Sequence, residues 1–192
     1  MGSVKRAAFA RPGDTVTEFV EWATERESSR LDGQITGWRE GPLAVAYTIE
    51  ADGLGRTRRL QIGLRAENED RQLLIVGNGF GQWFMGGVPI PSLNGALDVG
   101  LWITPTPELM TLGRLALSFG QEARIPLAWV AGPVLDVVIR YVRYLHVSGD
   151  VDGHLYRVGV EDAYGQLAEP ADALRLDPEG FLREAGPYRR LP

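Results

Sequence analysis

The chain contains no cysteine. Disulfides, thiolate metal sites, iron–sulfur clusters and a cysteine nucleophile are therefore excluded together. Its two histidines, His146 and His154, are too few for a multi-histidine metal centre, and no metal or cofactor is expected. No stretch approaches the roughly 18 consecutive apolar residues of a membrane-spanning helix. After Lys5 and Arg6 the run Ala7-Ala8-Phe9-Ala10 is too short for the core of a signal peptide, so a cytoplasmic protein is the expectation. There is no Gly-x-Ser-x-Gly nucleophile elbow. Basic residues are outnumbered, 20 against 25, for a net charge of −5. That balance argues against duplex nucleic acid or an anionic membrane surface as the main partner.

What the chain does have is glycine and proline, 24 and 12 of its 192 residues. Together they make about 19%, against about 12% in an average protein, which points to many tight turns. The length suits one domain with a core of its own. It is read as a single unit over residues 1–192, with 1–14 as a poorly ordered N-terminal arm. Asp-Gly or Asn-Gly pairs occur at 32–33, 52–53, 78–79, 94–95 and 152–153. Such pairs favour the type I′ turns of β-hairpins. The runs between them alternate as half-buried strands do. Leu43, Val45, Tyr47 and Ile49 share one face, as do Leu60, Ile62 and Leu64. Strands are also read at 72–76, 82–84, 97–103, 115–119, 125–130, 135–146 and 155–160. Val16, Phe19, Val20 and Ala23 fit either a helix or a strand, and 174–191 either a helix or a hairpin. The charge-rich stretch 56–69 reads as a solvated edge. An all-β, antiparallel fold with little helix follows. Several strands are apolar on both faces, which suits a sandwich, an oligomer contact or a rolled sheet.

Candidate chemistry is sparse. Gly77-Asn78-Gly79-Phe80-Gly81 lacks the spacing and the following helix of a dinucleotide loop and reads as a turn. Asp150-x-Asp152-Gly153 lacks the remaining ligands of a calcium loop and also reads as a turn. His146 and His154 flank that turn and read as surface histidines. Glu161-Asp162 and the Glu67, Glu69, Asp70 cluster are carboxylates in expected loops, and a glycosidase pair cannot be recognised from sequence. Asp98 stands inside an apolar strand and needs a partner, with Arg58, Arg114 and Arg140 as candidates. The five tryptophans and the tyrosines at 47, 141 and 144 are core aromatics or the lining of a pocket.

The block LNGALDVGLWITPTPELMTLGRLAL, residues 93–117, resembles the "Putative glycolipid-binding" family, formerly a domain of unknown function. Gly37-Trp38, Tyr47, Arg56-Thr57-Arg58, Gly81-Gln82-Trp83, Ala128-Trp129-Val130 and the tail from Leu176 to Arg190 extend the likeness over residues 22–191. Gly100, Ala96, Pro107-Glu108 and Gly113 depart from the family pattern. The resemblance implies an antiparallel sheet rolled into a spiral or incomplete barrel, similar to bacterial lipoprotein carriers. It also implies a role in binding or carrying a lipid or glycolipid, with no established catalytic residues. An apolar inner face would take acyl chains against Trp83, Leu101, Trp129 and Tyr141, with Arg58, Asp98 and Arg114 meeting the polar head. Strand parity does not fix which face turns inward. Two other readings stand beside this one. In one the second apolar face is a homodimer interface; in the other the chain is an uncharacterised hydrolase.

Overall fold

In the strands between residues 28 and 77 the apolar residues at alternate positions are buried, and the residues between them are mostly polar or exposed. This is the period-two pattern of a sheet with one covered face. The computed structural model describes residues 2–11, 15–38, 41–66, 69–161, 166 and 172–192. β1 (Ser3–Ala10), β2 (Thr17–Thr24), β3 (Ser28–Trp38), β4 (Pro42–Asp52), β5 (Thr57–Ala66) and β6 (Glu69–Gly77) pair in sequence as an antiparallel meander. Leu31 and Ile35 of β3, Val45, Tyr47 and Ile49 of β4, Leu60, Ile62 and Leu64 of β5, and Leu73 and Ile75 of β6 share the inner face. The short hairpin of β7 (Trp83–Met85) and β8 (Val88–Pro89) ends this side of the sheet.

The second half follows a helical interruption. β9 (Asp98–Leu101) leads into α1 (Glu108–Leu115), and then come β10 (Glu122–Ala131), β11 (Asp136–Asp150), β12 (Gly153–Val160), β13 (Asp172–Leu176), β14 (Leu182–Ala185) and β15 (Tyr188–Arg190). β15 pairs with β1, which joins both halves into one sheet of fifteen strands. All ladders are antiparallel except β9 on β10. The sheet curls until its ends approach. Thr57 N donates to Leu97 O and Gly95 N to Gly81 O, each at 2.8 Å, but no ladder closes the gap. The result is a rolled, incomplete barrel.

The roll has two rims. The ladder registers put loops 25–27, 53–56, 78–82, 116–121, 151–152 and 177–181 at one, the front rim. The back rim carries Arg11, residues 15–16, 102–107, 132–135 and 186–187. α1 runs through the inside from back to front. At its start Thr104 and Thr106 bond to side chains of β2, β4 and β15, and Glu108 bonds to β11. At its end Arg114 packs on Gly55 and bonds to Asp98 of β9. Leu109, Met110 and Leu112 join the core. The middle of the roll is therefore packed.

Several expectations give way. Asp32-Gly33 is not a turn but lies in the middle of β3, because a Cβ at Gly33 would sit 2.0 Å from Cζ of Tyr47. The Tyr47 ring lies flat across this glycine. Asn94-Gly95 turns the chain into β9 rather than making a hairpin. Residues 115–119 are the end of α1 and the loop after it, not a strand. The strand read at 97–103 shortens to β9. Residues 56–69 are no edge: β5 lies between β4 and β6, with its arginines outward. In place of an N-terminal arm, Ser3–Ala10 form a strand paired along its whole length with β2. The ambiguous stretches at 16–23 and 174–191 resolve as β2 and as β13 to β15. Glu67 and Asp162 lie outside the described residues.

Candidate functional site

Two carboxylates, one on a strand and one on α1, are buried inside the roll beside hydroxyl groups. Glu18 of β2 shares the inward face with Val20 and is almost fully buried. Tyr47 OH donates to its Oε1 at 2.6 Å and Thr106 Oγ1 at 3.2 Å; Thr104 Oγ1 donates to Oε2 at 2.7 Å, and the Tyr188 hydroxyl to the same oxygen. Burial pushes the Glu18 carboxyl from 4.5 up to about 7, although these hydroxyls favour the anion. Glu108, in the first turn of α1, accepts a bond from Tyr144 OH of β11. Burial likewise raises it from 4.5 to about 7, and the nearby Asp98 charge adds to the rise. Two of the tyrosines that face these carboxylates, Tyr47 and Tyr144, are themselves pushed well above 10 by burial and then by the adjacent acid.

Beside this cluster the back rim opens into a cleft of about 260 Å³. One wall is apolar, from Leu101, Trp102, Trp129, Val158 and Leu174; the floor is polar, from Thr104, Glu108 and Tyr188; Arg11 stands at the edge. Trp129 can lie along β9 because its partner there is Gly100, where a Cβ would come within 2.5 Å of the indole. The Arg140 guanidinium sits 5.4 Å from the Trp129 ring centre. Other hollows, of about 300 and 410 Å³ on the outer surface of β3 to β6 and about 340 Å³ between the front loops against Met110 and Arg114 of α1, are roomier but more open.

Of the residues singled out for ligand binding, the structure brings Leu101 and Trp129 together in the cleft. Trp83 is core, and its indole N–H donates to Ala96 O at 2.9 Å. Tyr141 is on the outer face of β11 under the Arg124 guanidinium, 4.0 Å from its ring centre. Arg58 is at the front rim, bonded to Gly77 O at 3.0 Å and 3.4 Å from Asp52. Asp98 and Arg114 form a two-armed ion pair at 2.9 and 2.5 Å that ties α1 to β9. Burial raises the Asp98 carboxyl even so. Glu161, by contrast, is held down at about 2 by Arg124 and Arg143. His146 is not a surface histidine: it is buried against Tyr156, with Nδ1 2.9 Å from Leu117 O.

Glu18 escaped the sequence reading, and Glu108 entered it only as part of the Pro107-Glu108 departure from the family pattern. The signal of Glu18 was available: it alternates with Val16 and Val20, the same argument that drew attention to Asp98.

A family model described as "Putative glycolipid-binding" matches residues 10–188. The chain belongs to this family. No curated protein matches it. A crystal structure of a DUF1089 family protein from Pseudomonas aeruginosa is 23% identical, over 91% of this chain and 92% of that one, with a TM-score of 0.73. A β-barrel-like protein of the domain of unknown function DUF1849 from Brucella abortus is 9% identical, over 99% and 95%, with a TM-score of 0.52. At these identities the likeness is one of fold. For the "Putative glycolipid-binding" family, a binding role is what the name indicates and what the rolled sheet suits.

Proposed function

We propose that the protein binds one amphipathic lipid or glycolipid without catalysis, at the back-rim cleft rather than along the whole interior. The observation that carries this reading is the meeting of an apolar wall with a cluster of hydroxyls and a carboxylate at the mouth of a packed roll. An acyl or sterol-like segment would lie against Trp102, Trp129 and Val158. Its polar end would meet Thr104, Glu108, Tyr188 and Arg11, whose donors and acceptors suit hydroxyl groups. The volume, about 260 Å³, is just below the range of ligand pockets, which run from about 300 to 1,000 Å³. One chain segment or one ring fits, not a whole glycolipid. Each methylene buried there contributes about 0.8 kcal/mol.

Native mass spectrometry of protein purified from its host, with titration of a fluorescent fatty acid, tests the reading. The expected result is a one-to-one adduct and saturable binding. Val160→Lys, which puts a charge on the half-buried cleft wall, is expected to weaken binding at least about tenfold with an unchanged circular dichroism spectrum. A clean apo mass with no saturable fluorescence, or undiminished binding by the Val160→Lys protein, defeats the proposal.

A further inference from the structure

The five most exposed large apolar side chains of the described residues are Val151 at 90%, Phe80 at 81%, Phe119 at 74%, and Leu54 and Val88 at 67%. Val88 is on the edge strand β8; the other four each stand on a different loop, and all four loops belong to the front rim. Nothing in the core requires them. Each loop is braced from within, so the tips are held outward. Asn78 Oδ1 accepts from Phe80 N at 2.8 Å, Asp52 Oδ1 from Leu54 N at 3.0 Å, and Asp150 Oδ1 from Asp152 N at 2.8 Å. Gln121 Oε1 accepts from Ser118 N at 2.9 Å beside Phe119.

We infer that the front rim docks on the surface of a lipid bilayer with uncharged or zwitterionic headgroups, the four tips entering its interfacial layer. Two observations select this occupant. First, the apolar groups are single side chains on separate loops with charged residues between them. They do not form the contiguous, shape-complementary patch that a specific protein interface of about 1,000 Å² or more demands, whereas a fluid interface accepts isolated tips. Second, the rim is not basic. Glu25, Glu27, Asp150, Asp152 and Glu179 are exposed beside Arg26, Arg58 and Arg183, and the chain carries a net charge of −5. An anionic membrane gains no net attraction from such a rim, and a neutral one leaves the apolar tips as the driving force. No helix among the described residues is long and apolar enough to cross a membrane, so the contact is interfacial. This rim lies at the opposite end of the roll from the cleft, and the inference does not rest on the function proposed for that cleft.

Co-flotation with vesicles of phosphatidylcholine alone, and of phosphatidylcholine mixed with phosphatidylserine, tests it. The protein is expected to float with the neutral vesicles, no better with the anionic ones, and no less at high salt. The two phenylalanine rings offer more apolar area to bury than Leu54 and Val151 do. The double variant Phe80→Ser, Phe119→Ser is therefore expected to lose at least about tenfold in partitioning with an unchanged unfolding temperature. Val88→Ser changes an apolar residue of 67% exposure at the sheet edge and is expected to float as the parent does. Val160→Lys, which disables the proposed cleft, is expected to keep vesicle binding, so the two proposals fail separately. Absence of flotation overturns the inference, as does equal flotation of the double variant or binding that requires phosphatidylserine. A concentration-dependent dimer in light scattering that the double variant abolishes assigns the rim to a second copy instead.

Discussion

At the scale of single residues, glycine decides what can lie flat against the sheet. Gly33 has no backbone need for glycine, yet a Cβ there would enter the Tyr47 ring. Displacing that ring breaks the bond to Glu18, which then loses one of its donors in a buried site. Gly33→Ala is expected to cost about 2–4 kcal/mol, from overpacking plus an unmet polar group. Gly63 on β5 is the control, since a Cβ there meets nothing within 4 Å. Gly63→Ala is expected to leave stability unchanged or raise it by about 0.4–1 kcal/mol, because the unfolded chain loses freedom. Urea unfolding of both variants checks the pair, and equal costs would refute the Tyr47 argument. Sequence could not give this. Asp-Gly is read as a turn from local chemistry alone, and here the glycine answers a residue fourteen positions away on the next strand. Asp52-Gly53 and Asp152-Gly153, whose reasons are local, did become hairpin turns.

At the scale of elements, strands were legible and the helix α1 was not. A buried strand with a wet outer face prints its period on the sequence, as β4 and β5 do. α1 lies inside the roll, so most of its sides are apolar or buried, and Leu115, Leu117 and Phe119 imitate a strand. Its end signals were present: Pro107 at the N-cap, Glu108 in the first turn and Arg114 in the last. Its place is fixed by the Asp98–Arg114 pair. Arg114→Met leaves a buried carboxylate without its counter-charge, expected to cost about 3–5 kcal/mol. The double variant Asp98→Asn, Arg114→Met removes the stranded charge and is expected to recover a substantial part of that loss. A double-mutant cycle by thermal unfolding measures the coupling, and strictly additive costs would show that the pair does not hold α1 to β9. Half of this was readable: Arg114 was one of three candidate partners for Asp98, and both were also read into a ligand site. Only the fold shows that each exhausts the other.

At the scale of the whole molecule, the Glu18 cluster gathers what the chain order separates. It links β2 near one terminus, β15 near the other, β4, and the segment that enters the roll. Its stability contribution therefore reports on the assembled roll and carries a sign. Glu18 and Glu108 hold their protons up to about pH 7 when folded, against 4.5 ordinarily. Between those values the folded state binds more protons than the unfolded one, so stability falls as pH rises. The contribution is fully present below pH 4.5 and is lost as pH passes about 7, up to about 3 kcal/mol for each group. Glu161 acts in the opposite sense: held at about 2, it favours the folded state above 4.5 and loses this as pH falls towards 2. Stability is thus expected to peak near pH 5 and to decline towards pH 8. Glu18→Gln keeps a neutral hydrogen-bonding group in place and is expected to flatten that decline by about half. Unfolding temperatures across pH 4–8 for the parent and the Glu18→Gln protein decide the matter. A parent whose unfolding temperature is level or rising from pH 5 to pH 8 would mean that these carboxylates reach water, and that the roll is open where it is described here as packed.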